Sequence, residues 1–224
     1  MSTTAALHPA PIASLNMEAG AQDPDSAQYL DRFLALLLIV FLAPLLIATA
    51  FAILATSRGN IFFRQARIGR GGKEFTCFKF RTMEVDAERR LEILLQNDPQ
   101  ARREWEQDQK LRNDPRITQI GQFLRKSSID ELPQLFNVLR GDMRLVGPRP
   151  IVDSERHKYG RYFREYCSVR PGITGLWQVS GRNDVSYRRR VAYDVLYSKH
   201  RSFLVDIWIL FATVPCVLFR RGSY

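Results

Sequence analysis

The chain has 224 residues, 46% of them hydrophobic and 25% charged, with a formal net charge of +10 at pH 7. The excess of Lys and Arg suits three kinds of partner: nucleic acid, an anionic membrane surface or a phosphorylated substrate. Cys77, Cys167 and Cys216 are widely spaced and odd in number, which argues against a disulfide framework and against a structural zinc site.

The N-terminal part divides into a polar tail and an apolar segment. Residues 1–28 have no sustained hydrophobic period and are predicted to be disordered. The following segment, residues 29–57, contains the uncharged run Phe33–Ala55. As a helix of about 35 Å this run would cross a hydrocarbon core of about 30 Å. Pro44, at its midpoint, predicts a kink.

Two membrane topologies are open for this segment. The flank after it carries Arg58, Arg64, Arg67, Arg70 and Lys73, which places that side in the cytoplasm. A kinked transmembrane helix would put the tail outside, whereas a re-entrant helical hairpin would return both ends to the cytoplasm. A buried core helix is a third interpretation, and the length of the uncharged run speaks against it.

Residues 58–201 are charged and are predicted to form a cytoplasmic domain of the α/β class, predominantly helical with a small β-hairpin. Its strands are predicted at Ile61–Phe63 and Phe75–Phe78, on either side of a turn at Gly69–Gly72. A charged helix is predicted over Glu84–Gln96.

Two later segments are also predicted to be helical. One begins at Pro99, with Asp98 as its N-cap. The other is the apolar C-terminal block, residues 202–224, in which Asp206 is the single acidic residue. A lone carboxylate at the bilayer centre costs about 2.5–3.5 kcal/mol. We therefore expect this helix to lie in the membrane interface or to pack on the first apolar helix, with a second span as the alternative.

An acidic pair lies in the stretch Ser127–Pro150, where chemically useful residues are densest. Asp130 and Glu131 precede an apolar helical run, and Ser128-x-x-Glu131 has the form of a capping box, which would place both carboxylates at a helix N-terminus that favours their ionised form. Pro133 allows a later helix start, with Asp130 outside the helix. An ionised Asp is a competent nucleophile, and its neighbour could bind Mg²⁺, although helix capping is the commoner role of such a pair.

Cationic residues recur around this pair. Gly147–Pro150 is a rigid turn that presents a guanidinium, which suits bidentate contact with phosphate. Two more turns combine Gly with Arg, and two cations flank Phe80 at the end of a predicted strand. Six cations are thus predicted to bind the substrate or shape its site: Lys79, Arg81, Arg125, Arg149, Arg170 and Arg182. Carboxylates for a metal ion and cationic loops for phosphates are what phosphoryl transfer requires.

Three blocks of the sequence resemble the signature blocks of a known family. They are KFRTM (Lys79–Met83), DELPQLFNVLRGDMRLVGPRP (Asp130–Pro150) and RPGITGLWQVSGRN (Arg170–Asn183). In this order they are similar to the bacterial sugar transferases, which are monotopic polyprenyl-phosphate phosphoglycosyl transferases. The resemblance runs from about Tyr29 to the C-terminus.

The resemblance implies a covalent mechanism. Asp130 would attack the β-phosphate of a UDP-sugar, releasing UMP and leaving a phosphosugar on Asp130, with Glu131 as its partner. Polyprenyl phosphate, such as undecaprenyl phosphate, would then accept the sugar phosphate. Mg²⁺ would assist at Asp130 and Glu131. The reaction would be the first membrane step in the synthesis of an exopolysaccharide or another glycoconjugate.

The resemblance also implies an architecture. Residues 29–57 would form a re-entrant helix-break-helix, although Ala43-Pro44 stands here where the family has Ser-Pro. Residues 58–201 would be the catalytic domain on the cytoplasmic face of the bacterial inner membrane, bound to its inner leaflet. Residues 202–224 would form an interfacial helix.

The sequence leaves the sugar and the oligomeric state open. A hexose donor such as UDP-glucose or UDP-galactose is plausible, and a homo-oligomer is compatible with the chain. One rival function is a non-enzymatic membrane scaffold or regulator of polysaccharide assembly, against which the intact acidic pair argues. A nucleic-acid binder is the other, and the uncharged run Phe33–Ala55 speaks against it.

Overall fold

A computed structural model describes residues 25–108, 111, 114–181 and 185–218. The helices of these residues are α1 (Asp25–Thr56), α2 (Ala87–Asn97), α3 (Pro99–Asp108), α4 (Gln119–Ser127), α5 (Gln134–Arg140), α6 (Arg156–Tyr159), α7 (Phe163–Cys167), α8 (Leu176–Val179), α9 (Tyr187–His200) and α10 (Phe203–Leu218). The strands are β1 (Phe62–Ile68), β2 (Glu74–Phe80), β3 (Arg144–Val146) and β4 (Gly172–Thr174). The prediction of a mostly helical fold with a small sheet is confirmed.

β1 and β2 form an antiparallel hairpin in which Phe63 lies opposite Lys79. Both strands extend beyond the predicted Ile61–Phe63 and Phe75–Phe78, because polar residues such as Arg64 continue the pairing on the exposed face. A short 3-10 turn, Arg70–Gly72, joins the strands where a turn was predicted. β3 and β4 pair in parallel in a separate two-stranded sheet.

The outer edge of β2 is paired by a side chain. Asn137 of α5, which is fully buried, accepts a hydrogen bond from the backbone N–H of Phe78 at 3.0 Å. Its amide nitrogen donates to the carbonyl oxygen of Thr76 at 2.7 Å. These two bonds fix α5 against β2 and bring the residues that precede α5 close to Lys79.

Replacing Asn137 by alanine is expected to lower the free energy of unfolding by about 2–3 kcal/mol, because the N–H of Phe78 and the C=O of Thr76 lose their partner away from water. Urea unfolding of the detergent-solubilised chain measures this loss. Asn97→Ala is the matched control, since that amide bonds the carbonyl of Ile93 on an exposed helix, and a change within about 0.5 kcal/mol is expected. Equal losses in the two variants would contradict the role of Asn137.

α1 runs without interruption from Asp25 to Thr56, with Pro44 inside it. It begins before the predicted segment 29–57, so residues 25–28 are helical and the predicted disorder falls on residues 1–24, which lie outside the described residues. The expected helix-break-helix is not present as a gap, because a proline removes a single helical hydrogen bond and the flanking turns continue. In the described residues, α1 is the helix that is long and apolar enough to cross a membrane.

One side of α1 packs on the rest of the chain, and its partners change at Pro44. Before Pro44, Ala35 joins a core cluster that includes Val138 of α5. After Pro44, Ile53 joins a second cluster with Phe80 of β2. The other side of α1 exposes large apolar side chains, among them Tyr29, Phe33, Leu37, Val40, Phe41, Ile47, Phe51 and Leu54. The apolar face is therefore continuous along the helix, and so is the packed face.

The C-terminal helix α10 packs on the same core as α1, which agrees with one of the two placements expected for it; its position in a membrane interface stays a prediction. Its carboxylate does not face lipid, since Oδ2 of Asp206 lies 3.1 Å from Nη2 of Arg144. Nε of Arg144 in turn lies 2.7 Å from Oδ2 of Asp31 on α1. The hydroxyl of Tyr197 donates to Oδ1 of Asp206 at 2.7 Å. One buried arginine thus joins both apolar helices to β3.

Candidate active site

Asp130 and Glu131 lie in a 3-10 turn, Ile129–Glu131, between α4 and α5. Ser128 has a left-handed backbone (φ 57°) that ends α4, and its side chain caps nothing. The predicted capping box is therefore wrong. α5 begins after Pro133, which leaves Asp130 outside the helix, as the alternative prediction had it.

The carboxylate of Glu131 is held by two cations that come from distant parts of the chain. Nζ of Lys79, on β2, donates to Oε1 of Glu131 at 2.6 Å. Nη1 of Arg149, in the turn after β3, lies 3.3 Å from the same oxygen. The docking of α5 on β2 brings Glu131 close to Lys79. Glu131 therefore serves as an anionic anchor for the cations around the nucleophile candidate.

Asp130 and Glu131 form a carboxyl dyad, and the pKa values of its two members are shifted in opposite directions. Burial and the neighbouring charge of Glu131 raise the pKa of Asp130 to about 6. Burial alone would raise the pKa of Glu131 too, but Lys79 and Arg149 outweigh it and lower that pKa to about 2. Neither carboxyl group lies in the first turn of α5, which begins at Gln134, so the expected stabilisation of both anions by a helix N-terminus does not apply. The lowered pKa of Glu131 is caused by its ion pairs with Lys79 and Arg149.

Asp130 is buried, at 9% exposure, and within the described residues its carboxylate makes no hydrogen bond or ion pair. Its charge interacts with that of Arg125. Burial lowers the pKa of Arg125, and Asp130 opposes part of that shift. Nε of Arg125, on α4, donates to Oγ1 of Thr82 at 2.9 Å. Gly121 permits this approach, because a β-carbon at that position would clash with the carbonyl oxygen of Thr82.

The remaining predicted cations are not gathered at the dyad in the same way. Arg81 is buried and donates to the carbonyl oxygens of Arg58 and Ser57, just beyond the C-terminus of α1. Nε of Arg170 donates to the carbonyl of Gly141, at the opposite end of α5 from the dyad. Arg182 lies outside the described residues.

The dyad lies close to the helix with the long apolar face. Ile129, the residue before Asp130, packs in the cluster that contains Ala50 and Ile53 of α1. The residue before the nucleophile candidate therefore belongs to the same apolar cluster as the C-terminal half of α1.

The bacterial sugar transferase family matches residues 26–220. The chain belongs to this family. It is 50% identical over 194 residues to the undecaprenyl-phosphate galactose phosphotransferase of Salmonella typhimurium, covering 87% of this chain and 40% of that protein. It is 45% identical over 199 residues to the exopolysaccharide production protein ExoY of Sinorhizobium fredii, covering 89% of this chain and 88% of that protein.

A third relative is a protein of Haemophilus influenzae described as an uncharacterized sugar transferase. It is 52% identical over 195 residues, which cover 87% of this chain and 41% of that protein. The chain therefore spans about two fifths of the length of several relatives and most of the length of ExoY.

Sequence reasoning missed Asn137 and Arg67, which fix the elements that carry the site residues. Asn137 docks α5, and Arg67 of β1 donates from Nη1 to the carbonyl of Pro150 at 2.8 Å, beside Arg149. A signal for Arg67 exists in the strand, since alternate residues of β1 share a face, and Arg67 lies on the same face as Phe63, opposite Lys79. No local signal pointed to Asn137, because an Asn inside an apolar helical run is also compatible with a polar surface position.

Proposed function

We propose that this sugar transferase moves a sugar 1-phosphate from a UDP-sugar to a polyprenyl phosphate, such as undecaprenyl phosphate, and releases UMP. The observation that carries the proposal is the buried dyad, in which Asp130 stands beside a carboxylate clamped by Lys79 and Arg149. A carboxylate nucleophile next to converging cations is suited to attack on a phosphate, because the cations stabilise the charge that develops in the transition state.

The proposed reaction has two steps. A carboxylate oxygen of Asp130 attacks the β-phosphorus of the donor, a new P–O bond forms, and the bond from that phosphorus to the bridging oxygen breaks. UMP leaves with the bridging oxygen, and the sugar phosphate remains on Asp130 as an acyl phosphate. A phosphate oxygen of the polyprenyl carrier then attacks the same phosphorus, which frees the carboxylate and forms the polyprenyl diphosphate sugar.

The charges around Asp130 support this role. Burial raises its pKa, but Lys79, Arg125 and Arg149 oppose the shift, so that a group with a pKa of about 6 is mostly ionised at neutral pH. We assign Arg149 to the diphosphate of the donor, because it is the partly exposed cation of the Glu131 pair, with 38% of its side chain exposed. Arg170 and Arg182 stay predicted contacts of the diphosphate or the uridine.

The donor set of the dyad fits a magnesium ion that the substrate helps to bind. The described residues contain no group of three or more His, Cys, Asp or Glu side chains that could hold a metal by themselves. Mg²⁺ is commonly held by one or two carboxylates together with substrate phosphates, and in this proposal Asp130 and Glu131 would be those carboxylates. The ion would neutralise charge on the diphosphate when the donor is bound.

The packing of α1 supports a re-entrant topology. Near its N-terminus Asp31 pairs with Arg144, and beyond its C-terminus the carbonyls of Ser57 and Arg58 accept hydrogen bonds from Arg81. A helix that left the domain and crossed a bilayer would have one end on each side, and only one end could contact the domain. Contacts at both ends are what we expect of a re-entrant helix whose two ends lie on the same side as residues 58–201.

The exposed apolar face of α1, together with the apolar helix α10 that packs on the same core, supports membrane association of the protein. The cations after Ala55 favour the cytoplasmic face, and the inner leaflet of the bacterial inner membrane is the surface that they would meet. A polyprenyl carrier keeps its phosphate at headgroup depth, and in this proposal the dyad, whose neighbour Ile129 shares an apolar cluster with α1, lies at that depth. We propose a hexose donor and a role in initiating exopolysaccharide synthesis.

A panel of UDP-sugars tests the proposed activity. The full chain in detergent or nanodiscs is incubated with undecaprenyl phosphate, Mg²⁺ and each donor, and UMP is quantified. We expect UMP and a lipid-linked sugar from one hexose donor at least. Their absence with every donor would favour a non-enzymatic scaffold, whose binding to a polysaccharide-assembly partner would not need Asp130.

Cysteine labelling tests the topology. In a background where the native cysteines are replaced, Gly20→Cys and Arg58→Cys are treated with a membrane-impermeant maleimide in oriented vesicles. Re-entrance predicts that both positions react from the cytoplasmic side. Labelling of residue 20 from the opposite side would contradict it.

A further inference from the structure

The turn that carries Arg149 is tied to its surroundings on both sides of that residue. Before it, the N–H of Gly147 donates to the carbonyl of Thr174 at 2.9 Å, and the carbonyl of Pro148 accepts from the N–H of Gly172 at 2.8 Å. These bonds anchor the turn to β4. They leave the second half of the turn, residues 150 and 151, to be fixed by other groups.

One hydroxyl fixes the end of the turn. Tyr166 of α7, which is 1% exposed, donates to the carbonyl of Ile68 at 2.7 Å and accepts from the N–H of Ile151 at 3.2 Å. The N–H of Ile68 donates to the carbonyl of Ile151 at 2.9 Å. The hydroxyl of Tyr166 therefore closes a small ring of hydrogen bonds between the end of β1 and the residue two places after Arg149.

A guanidinium fixes the residue next to Arg149. Nη1 of Arg67 donates to the carbonyl of Pro150 at 2.8 Å and lies 3.8 Å from Oε2 of Glu155. Nη2 of Arg67 donates to Oε1 of Gln65 at 2.6 Å, so its geometry is set from both sides. Burial and the nearby charge of Arg149 both lower the pKa of Arg67, which supports the closeness of the two guanidinium groups.

We infer that Arg67 and Tyr166 are positioning residues that hold the backbone on the C-terminal side of Arg149, and so keep its guanidinium against Glu131 at the donor site. The inference rests on the proposed function, in which Arg149 binds the donor diphosphate. Repulsion between two arginines would tend to move the turn outward, and the bonds from Arg67 and Tyr166 to Pro150 and Ile151 oppose that movement. Neither residue contacts the dyad in the described part of the chain.

A double-mutant cycle tests the inference in the full chain. Tyr166→Phe removes one oxygen and is expected to lower kcat/KM for the UDP-sugar about tenfold. In an Arg149→Gln background the same change is expected to act less than about twofold, because the residue that Tyr166 positions is already absent. A general loss of stability would lower kcat/KM equally in both backgrounds.

Tyr159→Phe is the matched control. Tyr159 and Tyr166 belong to the same buried cluster, with ring centroids 5.0 Å apart, but the hydroxyl of Tyr159 donates to Asp194 and not to the turn. We expect Tyr159→Phe to keep kcat/KM within about twofold. At Arg67, we expect Arg67→Lys to retain more activity than Arg67→Met, because lysine can still donate to the carbonyl of Pro150.

Hydrogen exchange gives a readout that does not depend on turnover. Tyr166→Phe is expected to speed exchange of the Ile151 amide about tenfold or more relative to Tyr159→Phe. If the wild type releases no UMP from any donor, the proposed function fails, and this exchange measurement still decides whether the turn is held. Equal losses of kcat/KM in both Arg149 backgrounds, or unchanged exchange at Ile151, would overturn the inference.

Discussion

Replacing Asp130 by asparagine is expected to abolish release of UMP and to lower turnover by at least about 1,000-fold, because a neutral amide is a poor nucleophile toward phosphorus. Mass spectrometry of the intact protein, incubated with the UDP-sugar and no acceptor, gives a direct readout. We expect a phosphosugar adduct on the wild type and none on Asp130→Asn.

The same substitution is expected to leave the protein as stable as before, or more stable, at neutral pH. Burial and Glu131 raise the pKa of Asp130 from 3.8 to about 6. At pH values between these two, the folded chain therefore binds a proton that the unfolded chain has released. The contribution of Asp130 to the free energy of unfolding is therefore largest in acid and falls as the pH rises through this window. Asparagine does not titrate, so Asp130→Asn avoids this loss of unfolding free energy. We therefore expect an inactive Asp130→Asn variant to be folded.

Asp86→Asn is the matched control for Asp130→Asn. It makes the same chemical change at an exposed residue, which pairs with Arg90 on α2, and is expected to keep turnover within about twofold. Normal turnover of Asp130→Asn, or an adduct on a different side chain, would contradict the assignment of the nucleophile.

Features that depend on neighbouring residues could be predicted from the sequence. Asp98 was expected to cap the helix that begins at Pro99, and its Oδ1 accepts from the backbone N–H groups of Gln100 and Ala101 at 2.8 and 3.1 Å. The late start of α5 after Pro133 was one of two alternatives. Such features involve a single turn of the chain, so local propensity carries the information.

The partners of Glu131 could not be predicted in this way. Its ion pair with Lys79 spans 52 residues and joins two segments that the docking of α5 on β2, through Asn137, brings together. A local rule assigned Glu131 to a cap at Ser128, but the left-handed backbone of Ser128 ends α4 instead. The tertiary contact therefore overrode the local pattern.

Arg81 illustrates a second limit of sequence reasoning. Lys79 and Arg81 flank Phe80, which suggested that Arg81 helps to shape the substrate site. β2 ends at Phe80, however, and the guanidinium of Arg81 donates to the carbonyls of Ser57 and Arg58, beyond the C-terminus of α1. There it joins the strand that carries Lys79 to the helix with the apolar face. Its predicted role at the substrate is untested.

Replacing Arg144 by methionine is expected to lower the free energy of unfolding by about 3–5 kcal/mol, the cost of leaving buried carboxylates without their cation. Arg144 is 6% exposed and pairs with Asp31 on α1 and Asp206 on α10, so a single substitution removes the paired cation of both carboxylates. For a chain of this length the unfolding midpoint should fall by about 10 °C, measured by thermal unfolding in detergent. Arg140→Met is the control, because its exposed pair with Asp142 is worth less than about 1 kcal/mol.

A rescue experiment separates the charge of Arg144 from its packing. Combining Arg144→Met with Asp31→Asn and Asp206→Asn leaves no unpaired charge in the network, and most of the lost stability should return. If the triple variant is as unstable as Arg144→Met alone, the loss comes from the packed stem of the arginine. An unchanged midpoint in Arg144→Met would contradict the network itself. Because one guanidinium serves both apolar helices, the single variant should also raise hydrogen exchange in α1 and α10 together, whereas loss of packing around one helix would affect that helix alone.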